Sequence, residues 1–322
     1  MSWQSSAERG SLLGMRFVVW SLRTLGLWPA RVVVEFIVLY YFATGRSARR
    51  ASRAYLERIA SFDAGRAALG GRPGAWISYR HFRTFGQMLL DRLAIWLHLD
   101  HHFVVEHTPQ ASAAGADAQR RGVLFLGAHF GNFDALRKLS VGHGLAISPV
   151  IFGAAPKFGA ILRELDPELE ARVIRLDPQD VQSVLQLKER IERGESIALL
   201  GDRAELVDQR RVTLLSFLGA PARFPQGALH VAALLQCPVY FFAGVRTGRN
   251  RYRVHAQLLV ERIELARATR ALELRRWTEA FAACVEENCL SAPLQWFNFY
   301  DFWASASTAS EPPHADSNRI AQ

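Results

Sequence analysis

The sequence has few cysteines, the residues that cross-link a fold covalently. It has 3 cysteines among 322 residues, and none of them forms a C-x-x-C pair. A disulfide framework and a cysteine zinc knuckle are therefore excluded as the basis of this fold. No standard zinc spacing is found among four neighbouring histidines, His98, His101, His102 and His107. We expect neither a metal nor a cofactor.

The chain also lacks a long uncharged apolar run, so an ordinary transmembrane span is not predicted. Two shorter apolar stretches occupy residues 12–28 and 32–43, with Pro29 between them. The second reads VVVEFIVLYYFA, and Glu35 interrupts it. A secretory signal peptide is a poor explanation, because no cleavage site follows a single apolar core.

Acidic residues are outnumbered, 30 against 39 lysines and arginines, which gives a net charge of +9. Such a chain favours polyanionic partners: nucleic acid, anionic lipid or an acidic carrier protein. No helix-turn-helix, RNP or zinc-finger pattern is present, so we do not expect nucleic acid. The apolar stretches are directly followed by five arginines, Arg46, Arg49, Arg50, Arg53 and Arg58. This pattern is typical of helices that lie on an anionic membrane surface, at its cytoplasmic side. A buried helical hairpin with a solvated basic flank is the alternative.

The rest of the chain alternates strand-like and helix-like segments. Apolar runs predict strands at 123–126, 147–152, 197–200, 239–245 and 254–263. Helical spacing predicts helices over 79–100, 177–194, 225–236 and 265–290, whereas 108–120 is predicted to be a loop. The fold class is therefore α/β, with a mixed, largely parallel central sheet flanked by helices. We expect membrane-associating helices in residues 1–60, an α/β domain in 61–303 and a disordered tail in 304–322.

The stretch VLFLGAHFGNFDALRKLS is where the sequence points to chemistry. His129 follows a predicted strand at its carboxyl end, where sites of open α/β sheets lie. Asp134 lies at a spacing that would let its carboxylate orient the imidazole as a general base. Gly131, Asn132 and the free N–H groups of the following helix would then approach a developing oxyanion. A structural histidine after a strand is the alternative.

AHFGNFD resembles the H-x4-D/E motif of the lysophospholipid acyltransferase superfamily. Three further stretches are similar to its branch of lipid A late acyltransferases, the lauroyl and myristoyl transferases: HFRTFGQMLLDR, LLGDR and FLGAPARFPQGALHVAALLQCPV. The resemblance covers residues 10 to 303. It implies His129 as base, Asp134 as its partner, and further motif positions at Asp202, Arg203, Phe217, Gly219, Phe224 and Pro225.

The resemblance also implies a reaction and a place. An acyl group would move from an acyl carrier protein or coenzyme A thioester to a hydroxyl of a glycolipid or lysophospholipid-like acceptor. The reaction would occur at the cytoplasmic face of the inner membrane of a Gram-negative bacterium. The family's Arg and Asn-Pro pair are missing from IFGAAPKFGAILREL, which leaves Lys157 and Arg163 as the candidates to replace them.

The ending APLQWFNFYDFW is more similar to relatives associated with aryl polyene and other pigment-lipid clusters, so the acceptor is either lipid A or another lipid. For the aromatic block itself, core packing is favoured over an acyl-tunnel wall. Two other functions stay open. One is a non-catalytic lipid-binding or assembly protein, and the other is a thioester or lipid hydrolase, although no G-x-S-x-G elbow is present.

Overall fold

The computed structural model describes residues 12–136, 145–152, 156–176, 181–203 and 211–303. The predicted tail, the predicted helix start at Asp177 and most of the segment after Asp134 lie outside these residues. The helices are α1 Leu12–Leu25, α2 Leu27–Thr44, α3 Arg46–Ala60, α4 Asp63–Leu69, α5 Ala75–Trp96, α6 Pro109–Arg120, α7 Pro156–Leu165, α8 Pro167–Arg172, α9 Val181–Glu192, α10 Gly227–Leu235 and α11 Arg270–Ser291. Short 3-10 helices span Asp100–His102 and Pro293–Gln295.

The strands are β1 Val104–His107, β2 Leu124–Gly127, β3 Ile147–Phe152, β4 Ile174–Leu176, β5 Ser196–Leu200, β6 Val212–Phe217, β7 Ala220–Pro225, β8 Val239–Gly248 and β9 Arg251–Val260. Seven of them form one sheet in the order β1-β9-β8-β2-β5-β3-β4, and β6 pairs with β7 separately. All neighbours in the large sheet are parallel except β8 and β9. The predicted fold class is confirmed as α/β with a mostly parallel sheet flanked by helices.

Strand β2 lies at the centre of the sheet, between β8 and β5. All four of its residues are buried, which is typical of a parallel strand covered on both faces. Its last residue, Gly127, pairs in register with Leu200, the last residue of β5. The segments that leave these two strands therefore begin side by side at the same edge of the sheet.

The predicted loop at 108–120 is wrong, because α6 occupies Pro109–Arg120. The Thr108 hydroxyl accepts a hydrogen bond from the Ala111 amide, and Pro109 starts the helix. Ala111 and Ala114 are fully buried against the sheet. Small residues at helical spacing form the packing face here, so the apolar periodicity of larger side chains is missing from the sequence.

The amino-terminal helices share the core of the sheet domain. Tyr55, Leu56 and Ile59 of α3 are buried in the same apolar cluster as residues of β2 and β5. Val34 and Val38 of α2 are buried in a second cluster that includes residues of α5 and β9. Helices α1–α3 therefore pack onto the α/β layers rather than standing apart from them.

Candidate active site

His129 lies two residues beyond the end of β2, and Asp202 lies two residues beyond the end of β5. Because β2 and β5 are parallel and paired, this matched offset brings the two side chains together. Nδ1 of His129 is 2.7 Å from Oδ1 of Asp202. The backbone N–H of His129 also donates to Oδ2 of the same carboxylate, at 3.0 Å.

The Asp202 carboxylate is fully buried and accepts further hydrogen bonds from the segment after α11. The Trp296 indole N–H and the Asn298 amide both donate to Oδ2 at 3.1 Å. Burial by itself would raise the pKa of Asp202, but His129 with its two hydrogen bonds, followed by the Arg203 guanidinium, holds it below its usual range. Asp202 is therefore an ionised acceptor at neutral pH.

The imidazole of His129 is neutral and partly open. Burial, followed by the nearby Arg203 guanidinium, lowers the pKa of His129 although Asp202 opposes the shift. An ionised carboxylate only accepts hydrogen bonds, so Nδ1 carries the hydrogen and Nε2 keeps its lone pair. The side chain is 29% exposed, and no described residue bonds to Nε2. This is the arrangement of a general base with an oriented tautomer.

The prediction that Asp134 orients His129 is wrong. The Asp134 carboxylate instead accepts the Trp96 indole N–H at 3.0 Å and forms an ion pair with Arg92 at 2.5 Å. The turn at 131–133 directs Asp134 toward α5, away from the Nδ1 side of the ring. Asn132 stabilises this turn, because its Oδ1 accepts the Asp134 backbone N–H.

The prediction that Gly131 binds an oxyanion is also wrong. Its backbone N–H already donates a hydrogen bond to the Gln295 carbonyl at 2.8 Å. Gly131 is required for a different reason. Its φ is +63°, and a Cβ there would lie 2.1 Å from the carbonyl oxygen of Gly244. The buried Asn132 donates its own N–H to that carbonyl, so the turn is fixed against β8.

Residues 293–298, here called the closing segment, contact the segment that follows β2 and the segment that follows β5. The Phe297 N–H donates to the His129 carbonyl at 2.8 Å, and Arg203 donates to the Phe297 carbonyl and to Oδ1 of Asn298. Trp296 is fully buried, which agrees with the prediction of core packing for the aromatic block. Sequence reasoning missed that Trp296 and Asn298 also hold Asp202; a tryptophan and an asparagine within a buried aromatic block were the available signal.

His81 of α5 contacts the backbone of the closing segment. Its Nε2 lies 2.9 Å from the Trp296 carbonyl oxygen, and its Nδ1 lies 3.0 Å from the Ser52 hydroxyl. Full burial lowers the pKa of His81 to about 4, so the ring is neutral. His81 is therefore a positioning group with both ring nitrogens engaged.

The other predicted substrate-binding residues have three different outcomes. Arg163 is exposed and paired with Glu170 at 2.9 Å, so the structure does not bring it to His129. Lys157 belongs to α7, and its side chain lies outside the described residues. Phe224 is fully buried among Phe217 and other aromatic rings, so the structure gives it a packing role. Pro225 is half-buried at the end of β7, where it pairs with Val212 of β6.

Helices α1 and α2 expose a broad apolar face next to the domain. Of the described residues, α2 is the one helix long and apolar enough to cross a membrane, although 22% of it is buried. Its two charged residues turn inward: Arg31 to Asp91 of α5, and Glu35 to Arg83. The large side chains left exposed on α1 and α2 include Leu13, Phe17, Trp20, Leu25, Trp28, Val32, Phe36, Leu39 and Tyr40.

Four of the five predicted membrane-facing arginines line one cleft of about 390 Å³ beside Phe42: Arg46, Arg49, Arg50 and Arg53. The fifth, Arg58, lies over the Trp303 ring instead, with its guanidinium carbon 4.6 Å from the ring centroid. A basic cleft thus adjoins the carboxyl-terminal end of the exposed α2 face.

Comparison with known proteins adds no family to this geometry. No protein-family model matches the chain, and no curated protein matches it significantly. The assignment of a function therefore depends on the site itself and on the resemblance of the motifs.

Proposed function

We propose that this protein is a membrane-associated acyltransferase with His129 as its general base and Asp202 as the group that orients the base. The observation that carries the proposal is the 2.7 Å contact between Nδ1 of His129 and Asp202 at the carboxyl edge of the sheet. It leaves Nε2 as a neutral acceptor on a partly exposed ring.

The chemistry needs no covalent enzyme intermediate. Nε2 of His129 removes the proton of an acceptor hydroxyl while the hydroxyl oxygen attacks the carbonyl carbon of the thioester. The tetrahedral anion collapses, the C–S bond breaks, and the thiolate leaves with the proton that His129 received. Asp202 stabilises the transient imidazolium, and the positive charge of Arg203 stabilises the anion.

The exposed apolar faces of α1 and α2 support a membrane location for this reaction. Tryptophan and tyrosine side chains on such a face are typical of helices lying in an interface, and the adjoining arginine cleft suits anionic headgroups. We propose the cytoplasmic face of a Gram-negative inner membrane, with a thioester of acyl carrier protein or coenzyme A as donor. The acceptor is a glycolipid, lipid A among them, or another lysophospholipid-like lipid, as the resemblance implies.

The proposal is tested with the purified full chain in detergent micelles, given lauroyl thioesters of carrier protein and coenzyme A together with a bacterial lipid extract. Mass spectrometry follows acylated lipid and free fatty acid separately. We expect wild type to form an acylated lipid, and His129→Ala to lose it by about 10²- to 10⁴-fold. His101→Ala, at an exposed histidine, is the matched control and keeps full activity.

Three results would contradict the proposal. Product formation by His129→Ala would remove the base. Release of fatty acid without consumption of acceptor would indicate a hydrolase. Lipid binding by wild type with neither product, for both donors, would indicate a non-catalytic lipid-binding protein.

A further inference from the structure

A second basic cleft lies at the opposite end of α2 from the 390 Å³ cleft. It has a volume of about 610 Å³, within the usual range of ligand pockets, roughly 300–1,000 Å³. Four arginines and one glutamate belong to its lining: Arg31, Arg83, Arg246, Arg249 and Glu35. The cleft therefore carries a positive excess before any residue beneath it is counted.

Two of these arginines are neutralised within the protein. Glu35 is 2.7 Å from Arg83, and the buried Asp91 is 2.7 Å from Arg31. Asn250 and Gln87 complete the hydrogen bonding of Arg31. Glu35 and Asp91 therefore make their shortest ion pairs with Arg83 and Arg31.

Arg246 and Arg249 are the arginines of this cleft that acidic groups compensate least. Arg246 is largely buried, yet its Nε has no hydrogen-bond partner among the described residues. Its nearest carboxylate oxygen belongs to Asp91, at 3.7 Å, and Asp91 already binds Arg31 and the Tyr252 hydroxyl. Arg249 is exposed and makes no ion pair with a described residue. This Nε is itself buried beside Asp91, so the cleft offers an anionic ligand the 17% of the Arg246 side chain that is exposed, together with the exposed Arg249.

The rim of this cleft is apolar. Trp28 and Val32 of α2 belong to the lining, and Trp28 is 64% exposed. The exposed α2 face continues from them through Phe36 and Leu39. When an amphiphile places its anionic head in the cleft, its acyl chain can pack along the exposed face of α2. A free anion has no group that would contact this face.

The cleft adjoins the turn that carries His129. Arg246 is near the carboxyl end of β8, which is parallel to β2, so both ends lie at the same edge of the sheet. Gln295 lines the cleft and holds Arg246 by its backbone N–H and carbonyl. The carbonyl of Gln295 in turn accepts the N–H of Gly131, two residues from His129.

We infer that the cleft at Arg246 and Arg249 binds the phosphate of a lipid headgroup, with the lipid chain lying along α2 from Trp28. Resting on the proposed function, this lipid is the acyl acceptor, which makes the acceptor a phosphorylated amphiphile. Guanidinium groups suit phosphate because they donate paired hydrogen bonds to its oxygens.

Isothermal titration calorimetry of the full chain in dodecylmaltoside micelles tests this with oleoyl lysophosphatidic acid as the probe. The comparison ligands are monooleoylglycerol, which has the same chain without the phosphate, inorganic phosphate, and an acyl-free carrier protein. We expect lysophosphatidic acid to bind more tightly than all three. Arg246→Gln combined with Arg249→Gln should weaken it by about tenfold or more.

Arg251→Gln combined with Arg253→Gln is the matched control, because both arginines are on the same hairpin but pair with Glu106. It should leave the affinity unchanged. Arg249→Gln alone, at an exposed position, should weaken binding several-fold and decides the matter if the double variant does not fold. Equal affinity of wild type and Arg249→Gln for lysophosphatidic acid would overturn the inference.

The comparison ligands give three further ways to overturn it. If inorganic phosphate binds as tightly as the lipid, the cleft is a free-anion site. If monooleoylglycerol binds as tightly, the phosphate and the arginines have no role. Carrier protein bound at these arginines in place of lipid would assign the cleft to the donor. Since His129→Ala should bind the probe normally while losing turnover, binding and catalysis fail independently.

Discussion

Two buried carboxylates at the sheet edge have similar surroundings and different roles. Asp134 accepts the indole N–H of Trp96, and Asp202 accepts the indole N–H of Trp296. The remaining partner differs, because Asp134 binds the Arg92 guanidinium whereas Asp202 binds the His129 imidazole. Asp134 is the neighbour of His129 along the chain and Asp202 the neighbour across the sheet. Strand register, rather than sequence spacing, decides which carboxylate orients the base.

The sharpest test of this difference is Asp202→Asn. The variant keeps the shape of the side chain but no longer offers an ionised acceptor to Nδ1. The imidazole therefore loses its preference for the Nδ1–H tautomer, and the imidazolium loses the negative charge that stabilises it. We expect kcat for acyl transfer to fall by about 10³-fold or more. Circular dichroism and the melting temperature are the controls for folding, and a folded Asp202→Asn protein with near wild-type kcat would contradict the assignment.

Trp296→Phe probes how Asp202 is held. The phenyl ring keeps most of the packing against Tyr55 and Phe217, but the hydrogen bond to Oδ2 is lost. We expect kcat to fall by about tenfold and the free energy of unfolding by about 2–3 kcal/mol, because the lost hydrogen bond is to a buried charged group. Trp96→Phe is the matched control at the other carboxylate, and it should lower stability similarly while changing kcat much less. Equal losses of kcat would remove the distinction.

The pH profile of kcat/KM reports the protonation of His129. A general base acts when deprotonated, so activity should rise with pH and level off, with an apparent pKa below the usual value of about 6.5. Burial and Arg203 both disfavour the imidazolium. Arg203→Gln should therefore move the midpoint to higher pH, whereas Arg203→Lys should keep it. A midpoint that does not move in Arg203→Gln would show that this charge does not reach the base.

Asp134→Asn should have the smallest effect on turnover. It weakens the ion pair with the partly exposed Arg92 and keeps an acceptor for Trp96, so the expected loss is about 1–3 kcal/mol of unfolding free energy. Turnover at a temperature where the variant is folded should stay within about tenfold of wild type. Thermal unfolding and kcat measured on the same sample separate the two effects, and a loss of kcat equal to that of Asp202→Asn would restore Asp134 as the partner.

Much of the fold follows from local sequence patterns. The apolar runs locate β2, β3, β5 and β8 to within a few residues, because buried parallel strands are nearly continuous hydrophobic segments. Helix α6 is missed because its buried face is made of alanines. Strand β4 has three residues, and the β6–β7 hairpin contains two prolines in β7, so neither gives a clear pattern.

The site is only half visible in the sequence. His129 and Asp202 each follow an apolar run and are found by that position. Their pairing depends on β2 and β5 being neighbours, although β3 and β4 lie between them in the chain. Spacing therefore favours Asp134, which is close in sequence but turned toward α5. The closing segment adds contacts from more than ninety residues away, as the hydrogen bond from Trp296 to Asp202 illustrates.

The tautomer of His129 in solution shows whether Asp202 or Asp134 orients the imidazole. Nitrogen-15 NMR of histidine-labelled protein at neutral pH, with His129→Ala to assign the signal, distinguishes protonated Nδ1 from protonated Nε2. We expect a protonated Nδ1 and an unprotonated Nε2 in wild type and in Asp134→Asn, and we expect this preference to be lost in Asp202→Asn. Protonated Nε2 in wild type, or a preference lost in Asp134→Asn and kept in Asp202→Asn, would contradict this expectation.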